Sequence, residues 1–288
     1  MDKTAIYKRV QEHYGLAAKS TDTAYSQTVA KAFGYSAEEL AMAPGEANLG
    51  LSCGNPVAIA NLREGETVVD LGSGAGFDVF LAARKVGAQG KAIGIDMNKD
   101  MLERANQNKA KAKADNASFI ESNITKIALP DATADCIISN CVVNLVPEGE
   151  KQLVFNEMFR LLKPGGRLAI SDLLVKKDLS EELKANMALY VGCVAGASRM
   201  HDYETYLRRA GFSDTLIADS HVDLNVYLQA KEGSSGGSCC GESSEGACCE
   251  KSPSCCNKRD TDPGDVLELS KLDLNELAGS FKVYAIKA

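Results

Sequence analysis

Eight residues, Val69-Asp70-Leu71-Gly72-Ser73-Gly74-Ala75-Gly76, constrain this chain more than any others. A short β-branched run, residues 67–71, leads into three glycines within five positions, and helical spacing begins at once over residues 77–86. Glycines let a backbone turn tightly and approach a ligand closely, and the helix start behind them offers free N–H groups. Strand, glycine turn and helix in immediate succession predict a βαβ unit with a nucleotide site. The spacing differs from the dinucleotide fingerprint, which places its third glycine one residue later.

The alternation continues along the chain. Residues 92–95, 118–120, 136–139 and 167–171 read as strands, with helices over 99–113 and 150–162. The 136–139 run is apolar without clean alternation, as expected of a strand covered on both faces. Beyond residue 172 we expect helices around 181–191 and 203–209, the second stopped by Gly211, and a strand within 216–228. A short helix over 272–277 and a strand over 281–286 close the pattern. The fold class is therefore α/β, a doubly wound, mostly parallel seven-stranded sheet. Residues 1–50 read as helical. Tyr7, Val10 and Tyr14 recur at spacings of three and four, and Ser36 with Glu39 has the form of a capping box.

A net charge of −7 argues against a general nucleic-acid binder. The first residues lack the apolar run of a signal peptide, and no segment approaches ~18 uninterrupted apolar residues, so no membrane span and a cytoplasmic location are expected. In that reducing compartment the ten cysteines are expected as thiols, ligands or catalytic groups. Six form the pairs Cys239-Cys240, Cys248-Cys249 and Cys255-Cys256, inside a Gly/Ser-rich stretch, 232–262, whose composition predicts a flexible insertion. Those pairs are either dispensable or suited to metalloid capture. Cys136, inside a strand, reads as a small apolar core residue.

Cys53, Cys141 and Cys193 stand apart. Ligands of open α/β sheets bind outside the carboxyl ends of the strands. Cys141 lies just past the fourth strand and Cys193 beyond the fifth, so both are placed to face a bound cofactor. Cys53 joins them if the N-terminal segment folds over as a lid. Their spacing fits no zinc ribbon, and His13, His201 and His221 fall in no metal-ligand pattern. Three thiols beside a nucleotide site point to a soft, thiol-seeking substrate. The loop after the fourth strand offers Asn140, Cys141 and Asn144 but no His, Asp or Glu, as suits a nucleophile that needs no deprotonation.

The glycine loop, Gly94-Ile95-Asp96 and Leu162-Lys163-Pro164-Gly165-Gly166-Arg167-Leu168 together resemble the Rossmann-like class I S-adenosylmethionine-dependent methyltransferases over roughly residues 60–175. That resemblance implies S-adenosylmethionine as co-substrate. It implies Asp70, Gly72, Gly74 and Gly76 at its amino-acid part, Asp96 on the ribose, and Asn123 and Ile124 by the adenine, with Met97 and Asn140 completing the set.

Leu51-Ser52-Cys53-Gly54-Asn55-Pro56, the segment Ser139-Asn140-Cys141-Val142-Val143-Asn144-Leu145 and Gly192-Cys193-Val194-Ala195-Gly196 resemble the arsenite methyltransferases, from about Gln11 to Phe212. The resemblance implies that Cys53, Cys141 and Cys193 bind trivalent arsenic and turn it over. Arsenite or its thiol conjugates would be the substrate, with a thioredoxin- or glutathione-type thiol reductant and no nucleic-acid or membrane partner. Soft arsenic prefers thiolates, so binding displaces thiol protons. Three sulfurs leave a lone pair that can attack an aligned methyl group. Transfer of CH3+ removes two electrons from arsenic, and two neighbouring thiols can return them by forming a disulfide. Two departures bear on this. Residues 1–52 lack the further cysteine that many members carry, and Ser122-Asn123-Ile124-Thr125 lacks an acid often found there. The disulfide partners stay open: Cys53 with Cys141 or Cys193, or the Cys-Cys pairs.

The organisation expected is a helical lid (1–55), a cofactor-binding core (56–175), an acceptor-binding extension (176–231), the flexible insertion (232–262) and a closing helix and strand (263–288). Two rival functions remain at this level: a C-methyltransferase of quinone or sterol type, and a non-catalytic metalloid-sequestering protein.

Overall fold

A computed structural model describes residues 2–19, 23–180, 183–184, 186, 193–227 and 273–288. The expected helix over 181–191 falls largely outside the described residues, and the insertion over 232–262 does so entirely.

Seven strands form one sheet: β1 (Thr67–Leu71), β2 (Lys91–Asp96), β3 (Ala117–Glu121), β4 (Ala134–Asn140), β5 (Leu162–Val175), β6 (Asp214–Asp219) and β7 (Ala278–Ile286). Their order is β3-β2-β1-β4-β5-β7-β6. The first five strands run parallel, and β7 lies antiparallel between β5 and β6. Three helices follow the parallel strands: α5 (Phe77–Val86), α6 (Lys99–Ala112) and α7 (Lys151–Leu161). Further on come α8 (Met200–Ala210) and α9 (Leu274–Leu277). Gly211 ends α8 at a φ of 114°, a region that glycine adopts without penalty.

Period-two alternation builds the two cores. Val69 and Leu71 of β1 and Ile137 of β4 face one side, packed with Val154, Phe155, Met158 and Leu161 of α7 and Tyr203 and Leu207 of α8. Val68, Cys136 and Ile138 face the other, against Val79, Phe80 and Ala83 of α5. Cys136 is thus an apolar core residue, and burial pushes its thiol up to about 12. The chain before the sheet is helical: α1 (Lys3–Ala17), α2 (Thr23–Ala32), α3 (Ala37–Met42) and the short α4 (Pro56–Ile59). Ser36 and Glu39 make the capping box of α3.

Three expectations shift. β5 begins at Leu162 rather than at 167, because Leu162 pairs with Ala134 before a bulge and the register resumes at Arg167↔Cys136. β4 reaches Asn140, one residue short of Cys141. β6 stops at Asp219, where Ser220 and His221 turn, so residues 220–227 are not strand.

Strand order reverses between β1 and its neighbours β2 and β4, the switch point where such sheets take ligands. The glycine loop leaves β1 at that point and Cys141 leaves β4 there.

Candidate active site

A cleft opens at the carboxyl ends of β1, β2 and β4. Asp70, Gly72, Ser73 and Gly74 line one wall, and Asp96 and Met97 another; Asn123, Ile124, Asn140 and Cys141 complete the rim. Helix α1 crosses above and contributes Tyr7, Val10, Gln11 and Tyr14. It is held there from both ends. Tyr7 donates to Glu150 at 2.7 Å, and Asn98 Nδ2 donates to the Gln11 carbonyl at 2.9 Å.

Gly72 sits at φ 72°, and a Cβ there would lie 2.4 Å from Val142 Cγ2. Gly74 sits at φ 51° with only Met101 Sδ at 3.8 Å, so this face stays open. Both positions therefore need glycine. Gly76 plays a different part. It is not among the lining residues; it is the N-cap of α5 at φ 92°, where a Cβ would strike the Phe119 and Phe80 rings.

The electrostatics of the cleft select its ligand. Asp70, Asp78 and Asp96 all line it, and among the described lining residues there is no lysine or arginine. Burial, then the charges of Asp78 and Asp96, push Asp70 well above the usual carboxylate range. Burial raises Asp78 to about 6. A phosphate-bearing dinucleotide would meet repulsion here. A nucleoside that carries positive charge and free hydroxyls would relieve it. Asp96 accepts from Gly74 N and Asn98 N at 2.8 Å each, which leaves lone pairs on both oxygens for hydroxyl donors. S-adenosylmethionine, with its sulfonium, ammonium and ribose diol, has the complementary charges and donors.

Beside this cleft three sulfurs come together. The Sγ atoms of Cys53, Cys141 and Cys193 all lie within 4.8 Å of one another, and all three residues are buried. Cys53 and Cys141 are joined as a disulfide with Cα atoms 5.6 Å apart, and Cys193 is a free thiol. Cys193 Sγ donates to the Cys141 carbonyl at 3.0 Å, and the Tyr14 hydroxyl lies 3.9 Å from the same sulfur. Burial, then the nearby Asp172 carboxylate, pushes the Cys193 thiol well above its ordinary value.

Each sulfur is held by a different part of the fold. Cys141 leaves β4 at φ 61°, tied back by its N–H to the Ser171 carbonyl at 3.0 Å. Cys53 is gripped on both sides. Its N–H donates to Asn140 Oδ1 at 3.0 Å, and Ser280 Oγ donates to its carbonyl at 2.6 Å. Gly54 makes this docking possible, since a Cβ there would lie 2.6 Å from Ser171 Cβ. Cys193 sits at φ 66°, again in the left-handed region that non-glycine residues rarely adopt. Strained residues of this kind persist only where the surroundings over-determine them.

Asn140 was expected to touch the cofactor. It does line the cleft, but its amide is already engaged by protein. Its Nδ2 donates to Tyr35 Oη and the Gly54 carbonyl, both at 2.9 Å, and to Asp78 Oδ2 at 3.1 Å. Tyr35 in turn donates to Asp78 Oδ1 at 2.7 Å. Asn140 therefore ties the Cys53 segment to the helix behind the glycine loop. Behind the sulfurs, Asn144 and Tyr203 both donate to the buried Asp172, at 2.7 Å each. Burial raises that carboxyl to about 7.

Several cleft residues escaped the sequence reading. The spacing of Tyr7, Val10 and Tyr14 marked a helix without marking what it covers. Asp78 and Met101 looked like ordinary helix residues, and Asn98 lay outside every expected element.

Comparison with known proteins agrees with this geometry. Residues 62–211 match the family described as Methyltransferase domain. An arsenite methyltransferase of Halobacterium salinarum is 44% identical over 68% of this chain and 52% of its own length. One from Aquipseudomonas alcaligenes is 39% identical over 59% of this chain and 51% of its own. The chain thus spans about half the length of these curated relatives. Among solved structures, an arsenic(III) S-adenosylmethionine methyltransferase from Chlamydomonas reinhardtii superposes with a TM-score of 0.55 at 26% identity, covering 90% of this chain and 73% of that one. No helix among the described residues is long and apolar enough to cross a membrane.

Proposed function

The chain belongs to the methyltransferase-domain family, and from that premise we propose that it methylates trivalent arsenic held by Cys53, Cys141 and Cys193, with S-adenosylmethionine as methyl donor. The observation that carries the reading is the meeting of three buried sulfurs at the rim of an acidic, glycine-walled cleft. A quinone- or sterol-type acceptor would give those sulfurs no role. A sequestering protein would have no use for the cleft.

Bound in the cleft, S-adenosylmethionine supplies a methyl group on a positively charged sulfur, which leaves as a neutral thioether. Asp70, Asp78 and Asp96 offset its charge, and Gly72 and Gly74 admit its backbone-like end. Arsenite is As(OH)3. Each cysteine thiol replaces one hydroxide, and its proton departs on that hydroxide as water. The raised Cys193 thiol therefore needs no separate base. With three sulfurs in place, arsenic keeps one lone pair, and this pair forms the bond to carbon. Tyr14 lines the cleft with its hydroxyl 3.9 Å from Cys193 Sγ, at the junction where the partners must be held in line.

Methyl transfer takes arsenic from the trivalent to the pentavalent state. Cys53 and Cys141 are the pair already at bonding contact. Their sulfurs join, the two As–S bonds break, and two electrons return to arsenic, which stays on Cys193 while a solvent hydroxide or thiol takes an open position. A dithiol reductant, of thioredoxin type or acting with glutathione, then reopens the disulfide.

The test is purified protein with arsenite, S-adenosylmethionine and a dithiol, with methylarsenicals read by mass spectrometry. Methylated product is expected; none, with S-adenosylmethionine bound, would refute the reading. A single turnover of the pre-reduced protein without further reductant should leave a Cys53–Cys141 cross-link and the methylarsenic group on Cys193. A cross-link that includes Cys193 would refute the assigned pair.

A further inference from the structure

Lys151 is 1% exposed, the one buried lysine among the described residues. It opens α7, and its ammonium has three partners. Nζ meets Glu148 Oε2 at 2.8 Å, the Gly196 carbonyl at 2.6 Å and Ser198 Oγ at 2.7 Å. Two of the three belong to the segment that carries Cys193. The Glu148 side chain is 66% exposed, so it is the ammonium alone that is taken out of water, a cost its three hydrogen bonds offset. Those bonds fix the geometry around it.

The geometry at stake is the third sulfur. Cys193 occupies the left-handed region, so its loop must be tied down. Backbone hydrogen bonds hold its C-terminal side. Ala197 N donates to the Val194 carbonyl at 3.1 Å, and Val175 N donates to the Ser198 carbonyl at 3.0 Å. Lys151 supplies two more, three and five residues from the cysteine. Its counter-ion Glu148 is itself held by the Tyr206 hydroxyl of α8. Two residues on, Glu150 holds α1 through Lys3 and Tyr7. One short segment, 148–151, thus fastens the helix above the cleft, the Cys193 loop and α8.

We propose that Lys151 is a positioning residue: through Gly196 and Ser198 it holds Cys193 where its sulfur meets those of Cys53 and Cys141. It touches no reacting atom. The proposal rests on the arsenic reading above, and its first readout does not depend on it.

Lys151→Met keeps length and apolar bulk and removes every donor. In the full chain with the disulfide reduced, iodoacetamide labelling of Cys193 is expected to quicken at least tenfold, while labelling of Cys136 and the affinity for S-adenosylmethionine stay within twofold. A merely structural lysine would raise both cysteines together. The arsenite KM should rise at least tenfold, the sulfur-to-arsenic absorption should fall from the three-thiolate to the two-thiolate value, and Lys151→Arg should recover part of each. If Lys151→Met does not fold, Ser198→Ala removes one of the two ties and should quicken Cys193 labelling about threefold. Cys193 labelling at the wild-type rate in a folded Lys151→Met chain, or in Ser198→Ala where the first fails to fold, overturns the proposal. Should the arsenic reading itself fail, the wild-type chain binds no arsenite while the labelling contrast survives.

Discussion

The two halves of the site are built differently. The cofactor cleft is built around consecutive strand ends, and half of its lining comes from residues 70–78, 96–101 and 122–124. The sulfur site draws its three residues from positions 53, 141 and 193, each anchored by a separate group: Asn140 and Ser280 for Cys53, the Ser171 carbonyl for Cys141, Lys151 for the Cys193 loop. Local backbone geometry makes the first. Long-range hydrogen bonds make the second. Substitutions should therefore separate cleanly into those that lose the methyl donor and those that lose the acceptor.

The largest separation should come from the sulfurs. Cys141→Ser and Cys193→Ser are each expected to lower methyl transfer at least ~1000-fold, about 4 kcal/mol of barrier. Binding of S-adenosylmethionine, followed by calorimetry, should stay within twofold. Equal loss of both would merge the two halves into one.

Next comes a pair of glycines. Gly72→Ala puts a Cβ against Val142 at a positive φ, and should cost ~1–3 kcal/mol of stability and most of the donor affinity. Gly54→Ala pushes against Ser171 instead. It should weaken arsenite binding and spare the donor. Denaturation midpoints and two titrations check both.

Asp96→Ala is expected to weaken the donor by ~10–100-fold, the ordinary range for a lost charge-assisted hydrogen bond or two, and to leave arsenite affinity unchanged. An unchanged donor affinity would remove Asp96 from the cleft's binding groups.

A separate effect concerns stability against pH. An unfolded aspartate ionises near pH 4, and burial raises folded Asp172 to about 7. Between those values the folded chain keeps a proton that the unfolded chain has released. Stability should therefore fall as pH rises across this window, by on the order of 3–4 kcal/mol. Asp172→Asn should flatten that slope in urea melts. An undiminished slope would assign it to Asp70, Asp78 and Asp96, the buried carboxyls of the cleft, which burial also raises.

Legibility in the sequence follows the same division. β1 and α5 have the bounds that β-branching, glycine and helical spacing predict, because each is set by its own residues. β5 and β6 were misjudged at their ends, where pairing with a neighbour decides: Leu162 is strand only because Ala134 lies beside it. Cys53, Cys141 and Cys193 stood out by their motifs, but periodicity could not say that they meet. That depends on Gly54 against Ser171 and on Ser280 reaching across from β7. Lys151 gave no signal at all, since a lysine at a helix start reads as solvent-facing until its partners are seen.

Arsenic X-ray absorption on the loaded protein tests the central claim most directly. Three sulfur neighbours are expected in the wild-type chain and two in Cys193→Ser. A wild-type spectrum with oxygen in the place of any of the three sulfurs would contradict it.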